Sequence, residues 1–177
     1  MNRFEKVSFK QFYADLQSTY EASLDCDEKI YVIPEEEARN IYDAIKLPTR
    51  ATKGSAGYDI FSPVHIELGY SHLTIPTGIR WVCDDPTLVL MILPRSGQGF
   101  KYGMALRNTA GIIDSDYCNA KNEGHIMCKI NAEEPYTIKE GTAFAQGLIL
   151  KLGMADNEIE PEQTRVGGFG STSERHE

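Results

Sequence analysis

The sequence predicts an all-β domain of the sandwich or jelly-roll kind, with one or two helices ahead of it. Two observations carry this. From Gly57 onward the chain breaks into short β-rich runs separated by turn signals: Ser62-Pro63, Leu68-Gly69, Pro76-Thr77-Gly78, Asp84-Asp85-Pro86 and Glu140-Gly141. Many short strands at that spacing suit a sandwich or jelly roll and not a βαβ fold. The first 50 residues, by contrast, carry helical spacing. A chain of 177 residues fits one domain, and at that length about 70% of the unfolded surface can be buried.

Ser8-Phe9-Lys10-Gln11 has the spacing of a capping box, and Phe9, Phe12, Tyr13, Leu16 and Tyr20 follow it at helical intervals. A short amphipathic helix is expected from about Ser8 to Tyr20. A strand is expected over Lys29 to Ile33. Glu35 to Lys46 reads as a second helix, with Ala38, Ile41, Tyr42 and Ile45 on one face. Three glutamates, Glu35 to Glu37, lie in its first turn, where the helix dipole favours them, and Pro48 lies just past its end. Strands follow at Tyr58–Phe61, Val64–Leu68, His72–Ile75, Ile79–Cys83, Leu88–Leu93, His125–Ile130, Tyr136–Ile138 and Phe144–Leu150. Trp81, in the middle of one of them, is expected in the core. After Lys151 the chain turns polar and ends in a glycine-rich segment, with no internal repeat.

The formal charge of -8 argues against non-specific binding to nucleic acid or to an anionic membrane. An anionic substrate would have to be held by a local positive site. Met1 to Phe9 contains no apolar targeting core, and the longest apolar run, Leu88–Leu93, is too short to span a bilayer. Cys26, Cys83, Cys118 and Cys128 stand apart, without metal or disulfide spacing, as expected for reduced thiols in a cytoplasmic protein. The histidines, His65, His72, His125 and His176, show no metal-ligand spacing and are expected on the surface or on strand faces.

Three stretches carry chemistry. Pro94-Arg95-Ser96-Gly97, after an apolar strand, offers a guanidinium fork, a hydroxyl and a close backbone approach suited to phosphate, or is an ordinary polar turn. Gly111-Ile112-Ile113-Asp114-Ser115-Asp116-Tyr117 places two carboxylates two residues apart, expected on the same side of a strand or hairpin. One of them is a candidate general base and Tyr117 a candidate stacking surface; alternatively Asp-Ser-Asp is a hairpin turn held by Asx hydrogen bonds. The tail from Arg165 to Thr172 combines glycine-freed backbone N–H groups with two hydroxyls, an arginine and Phe169. It reads either as an oligophosphate cradle or as a disordered tail.

Taken in order, these stretches resemble the trimeric dUTPases over Lys29 to Thr172. Ala51-Thr52-Lys53-Gly54-Ser55-Ala56-Gly57-Tyr58-Asp59 looks like the first of that family's five motifs, and Pro94–Gly97 like the second. Gly111–Tyr117 looks like the third, Gly141-Thr142-Ala143-Phe144-Ala145-Gln146 like the fourth, and Arg165–Thr172 like the fifth. The resemblance implies the jelly-roll-like dUTPase fold (β-clip), a homotrimer, and Mg²⁺-assisted hydrolysis of dUTP to dUMP and pyrophosphate. It implies that Asp114 activates the attacking water and that Tyr117 packs under the deoxyribose and excludes a 2′-hydroxyl. The backbone around Asn108 and Gly111 would read uracil. Ser96, Gly97 and Gln146 would hold phosphates, with Arg95 shaping that site, and Asp59 would act near the magnesium through water. Arg165, Gly168, Ser171 and Thr172 would close over the outer phosphates, and Phe169 would cover the uracil.

The implied organisation is an N-terminal helical extension over 1–28, a β-domain over 29–160 and a C-terminal arm over 161–177. The sequence departs from the family pattern in three places. Cys118 to Gly124 lengthens the hairpin after motif three, where a short turn is usual. The last motif ends Ser171-Thr172-Ser173, where glycine usually follows threonine. Residues 1–28 and the helix at 35–46 have no place in the minimal pattern and are candidates for trimer padding or a protein partner. Two rival readings are a dCTP deaminase, alone or combined with dUTPase activity, and a nucleotide-switched regulatory binding protein. The deaminase would need a glutamate where motif three carries Asp114 and Asp116.

Overall fold

The computed structural model describes residues 1–21, 32–69, 72–157 and 159. The chain runs through β1 (Asn2–Lys6), helix α1 (Phe9–Glu21), helix α2 (Glu35–Ala44), β2 (Tyr58–Phe61), β3 (Ile66–Leu68), β4 (His72–Pro76) and β5 (Ile79–Cys83). It continues through β6 (Leu88–Pro94), helix α3 (Ser96–Tyr102), β7 (Ala105–Leu106), β8 (Gly111–Asp114), a 3₁₀ turn at Tyr117–Asn119, β9 (Met127–Asn131), β10 (Tyr136–Ile138) and β11 (Ala143–Lys151). All the ladders among the described residues are antiparallel. The largest sheet has the order β2-β11-β6-β8, and a second runs β4-β9-β7. The architecture is the all-β one expected, with helices attached.

In β3, β5 and β9 burial alternates, as in a pleated strand with one dry side. In β5, Ile79, Trp81 and Cys83 are buried; in β9, Cys128 and Ile130 are. Trp81 lies in the core as expected, and its indole N–H donates to Asn2 Oδ1 at 2.7 Å. One continuous core joins these side chains to Ile60, Leu90, Ile92 and Phe144 of the main sheet and to Phe12 and Leu16 of α1.

Several elements differ from the expectation. β1 is polar apart from Phe4, so no alternation marks it; it is a strand because it pairs along the whole of β5, from Asn2 opposite Cys83 to Lys6 opposite Ile79. α3 hides behind two glycines, Gly97 and Gly99, and is closed by left-handed Gly103 at φ 61°. β7 and β8 are too short to show a period. α2 stops at Ala44, before the expected Lys46, because Ile45 turns to an extended conformation. Most of the expected strand at Lys29–Ile33 lies outside the described residues; Val32 and Ile33, which are described, are in no strand. No described helix is long and apolar enough to cross a membrane.

Candidate functional site

Motifs one, two and four converge on one cleft. Ala51, Ser55, Ala56, Gly57, Asp59, Leu93, Arg95, Ser96, Gln146 and Leu148 line an open hollow of about 370 Å³. The sheet register explains the meeting: Gln146 of β11 stands opposite Asp59 of β2 on one side and Leu93 of β6 on the other. β6 then ends at Pro94 and delivers Arg95 and Ser96 to the cleft rim. Arg95 Nε lies 3.2 Å from Asp59 Oδ1, and its Nη1 donates to the Ala143 carbonyl at 3.4 Å. Gln98 donates to the same carbonyl at 3.0 Å, so α3 is tied to the start of β11. Gln146 Nε2 donates to the Pro94 carbonyl at 3.2 Å. Gly57 is needed here for close approach: a Cβ on it would stand 2.5 Å from Gln146 Oε1. Ser96 and Gly97 are exposed on the first turn of α3.

Motif three lies on the same face of the sheet but away from that cleft. Asp114 ends β8 opposite Val89 of β6, whereas Gln146 stands opposite Leu93. Four residues of strand are roughly 13 Å and two strand spacings roughly 10 Å, so the two residues are on the order of 16 Å apart. Asp114 and Asp116 do not sit together on a strand: Asp116 is helical, at φ -88° and ψ -3°, and leads into the 3₁₀ turn. Asn108 is exposed on the turn between β7 and β8, where Thr109 adopts φ 66°. Gly111 pairs with Ile92.

Tyr117 is 7% exposed, and its hydroxyl is held from two sides. It donates to the His125 carbonyl at 3.2 Å and accepts from Asn122 Nδ2 at 2.9 Å.

The expectation for His125 is overturned: it is fully buried. Its Nε2 accepts the Gly78 N–H at 2.7 Å, so Nε2 carries no proton. The neutral ring therefore bears its hydrogen on Nδ1 and donates it to Asp15 Oδ2 of α1 at 2.5 Å. Burial pulls the Asp15 carboxyl up, but the hydrogen bonds from His125 and Gln11 more than offset it and hold it below its usual value. The sequence did contain a hint. Asp15 lies on the Phe12–Leu16 side of the helix, and a carboxylate on an apolar stripe needs a partner. The other two described histidines, His65 and His72, are exposed as expected.

Arg165, Gly168, Phe169, Ser171 and Thr172 lie outside the described residues, as does the arm they belong to. Among the described residues no three His, Cys, Asp or Glu side chains cluster to hold a metal. Asp59 is the one carboxylate among the described residues that line the cleft. That donor set fits Mg²⁺, which commonly takes one or two carboxylates and fills its shell with substrate phosphates and water.

The dUTPase family model matches residues 43–173. A deoxyuridine 5′-triphosphate nucleotidohydrolase from Hahella chejuensis is 39% identical over 142 residues, covering 76% of this chain and 91% of that protein. Among solved structures, dUTPase from Streptococcus mutans matches at a TM-score of 0.57 and 29% identity, over 65% of this chain and 91% of that one. A mutant dUTPase from phage phi11 of S. aureus, described with a structural Mg(II) ion, shares the fold at a TM-score of 0.54 and 22% identity, over 72% of this chain and 94% of that one. With the family model matched over 43–173 and relatives near 40% identical along most of their length, the chain belongs to the dUTPase family.

Proposed function

We propose that the protein is a dUTP diphosphatase that hydrolyses dUTP to dUMP and pyrophosphate at a site completed by a neighbouring subunit of a homotrimer. The observation that carries the reading is the convergence of Asp59, Arg95, Ser96 and Gln146 in one cleft at a strand end. A guanidinium, a hydroxyl and an amide there suit a phosphate chain, and in a protein of charge -8 such local donors must do the work of attraction. Arg95 is already paired with Asp59. A bound triphosphate would draw Arg95 onto its oxygens and leave Asp59 to hold Mg²⁺ through water. The ion would neutralise the phosphate oxygens and favour attack at the α-phosphorus.

Asp114 is the proposed general base: it takes the proton of the water that attacks the α-phosphorus in line. Within one chain it is too far from the cleft for this, by the order of 16 Å estimated from strand spacing. A base must come within hydrogen-bond reach of its water. The base at each cleft therefore comes from another subunit. The sheet face between the two sites supports this, since Met91 stands opposite both Ile112 and Leu148. Ile112 is 54% exposed in the single chain, an apolar side chain suited to burial between subunits. Asn108 and Gly111 read uracil through the hairpin backbone, and Tyr117 packs under the deoxyribose. The arm bearing Arg165, Gly168, Phe169, Ser171 and Thr172 closes over the phosphates and base.

Incubation with dUTP, dTTP, dCTP and UTP in the presence of Mg²⁺, followed by pyrophosphate assay, tests the reading. Strong preference for dUTP is expected, because a pocket that hydrogen-bonds one base edge leaves buried polar groups unpaired with the wrong one. Equal turnover of dTTP, or ammonia release from dCTP, would contradict it.

A further inference from the structure

Two segments set this chain apart from the family pattern: the residues ahead of the match at 43 and the lengthened hairpin at 118–124. In the structure they hold each other. Ser8 caps α1, its Oγ accepting the Gln11 N–H at 3.2 Å. A capping box would have the Gln11 side chain return to the Ser8 N–H. Instead Gln11 Nε2 donates to Asp15 Oδ2 at 2.8 Å, and the returning group is Glu123 of the lengthened hairpin. Glu123 Oε2 accepts the Ser8 N–H at 2.7 Å and Oε1 accepts the Ser8 hydroxyl at 2.6 Å. About two turns further along, Asp15 of α1 accepts the His125 Nδ1–H. The helix therefore grips the hairpin at two points that flank Gly124.

Those grips act close to Tyr117. The hairpin's internal hydrogen bonds are local: Ala120 N–H to Tyr117 O, Glu123 N–H to Ala120 O, and His125 N–H to Asn122 O. They shape the loop; its place on the body is set by the grips of α1 together with the Gly78 N–H bond to His125 Nε2 at 2.7 Å. Gly124, at φ +72°, lies so near the 3₁₀ turn that a Cβ would stand 2.6 Å from Cys118 Cα and 2.8 Å from the Tyr117 carbonyl. Any shift of 123–125 is thus passed to the Tyr117 backbone. The Tyr117 hydroxyl is held by the same stretch, by the His125 carbonyl and by Asn122.

We infer that the N-terminal extension is a brace for the sugar side of the active site, with Ser8 and Asp15 as positioning residues that act through Glu123 and His125 on Tyr117. Fixed at both its backbone and its hydroxyl, the ring resists displacement by a 2′-hydroxyl. The inference rests on the proposed role of Tyr117 against deoxyribose, and the brace itself is a claim about the hairpin whatever the substrate.

The test uses the full-length chain with Asp15→Ala, Ser8→Ala and Asp15→Asn. Each variant has two readouts: the ratio of kcat/KM for dUTP over UTP, and amide hydrogen exchange across 117–125. Asp15→Ala is expected to lower the ratio about tenfold, the scale of one hydrogen bond lost between charged or polar partners, and to speed exchange across 117–125 by a similar factor. Asp15→Asn keeps an acceptor for His125 and is expected to restore most of both. Ser8→Ala removes the two exposed contacts of the hydroxyl, to Glu123 Oε1 and from the Gln11 N–H, but keeps the Ser8 N–H bond to Glu123 Oε2, and is expected to shift both readouts in the same direction by a smaller amount. A purely stabilising contact would lower the melting temperature and leave the ratio unchanged. Folded Asp15→Ala and Ser8→Ala proteins with wild-type exchange across 117–125, or with wild-type sugar discrimination, overturn the brace. A wild type that shows no preference for dUTP at all sinks the activity reading instead, and the exchange measurement still decides the brace.

Discussion

At the residue scale the site turns on short contacts whose loss has a definite sign. Asp114 is proposed to touch the attacking water and not the ground-state nucleotide. Asp114→Asn is accordingly expected to leave dUTP affinity nearly unchanged in a titration while turnover falls by roughly 10²-fold or more, the scale of a lost general base. Unchanged turnover would make Asp114 a turn residue, the reading that its place beside the Ser115–Asp116 turn would then favour. Gly57 has a different kind of role. A methyl group there meets Gln146 Oε1 at 2.5 Å, and Gln146 is anchored by its bond to the Pro94 carbonyl. Gly57→Ala should push the amide out of the cleft and raise the KM for dUTP about tenfold, with a smaller change in kcat, because a positioning contact on the phosphate chain is lost. A KM equal to that of the wild type would show that Gln146 is free to move without cost.

At the element scale the attachment of α1 makes a pH prediction. Asp15 and Glu123 both sit below their ordinary values of 3.8 and 4.5. Burial raises each, but hydrogen bonds from His125 and Gln11 to the first, and from Ser8 to the second, outweigh it. A carboxyl depressed in the folded state adds stability above its unfolded value and loses it as pH falls through the folded value. The clasp is therefore expected to be at full strength above about pH 5 and to fade below about pH 4. Melting temperatures of wild type and Asp15→Asn should differ at pH 7 and converge towards pH 3; a gap that stays constant over that range would refute the assignment. The clasp also shows what a sequence does and does not make legible. Tyr58–Phe61, Ile79–Cys83 and Tyr136–Ile138 are strands at the expected residues, because alternation and flanking turns are local properties. β1 and α3 escaped because their reasons are not local: β1 is set by the open edge of β5, and the glycines of α3 mask its period. The cleft residues were readable as ordered motifs. His125 was not, since its burial depends on a helix more than a hundred positions away in sequence, and only the misplaced acid at Asp15 hinted at it.

At the scale of the whole molecule, the proposed role of Asp114, set apart from the Asp59–Arg95–Gln146 cleft, calls for a second subunit at each site, and the C-terminal arm offers a way to test which chain provides what. In the proposed trimer, motif three and the arm reach one site from different subunits. Two defective proteins can therefore repair each other. One lacks residues 164–177 and the other carries Asp114→Asn. Either alone has a defect at every site and should be nearly inactive. In co-folded trimers mixed at equal amounts, a working site needs its Asp114 from a truncated chain and its arm from a full-length one. If the two donors are different subunits filled at random, about one site in four meets both conditions. Pyrophosphate release should recover to about that fraction of the wild-type rate and vary with the mixing ratio as the product of the two proportions. If instead each arm closes over a site that uses its own chain's Asp114, every site keeps one defect and no ratio restores activity. Mixed trimers shown to form, by a tag on one variant, and still inactive would place the arm and the base of each site on the same chain.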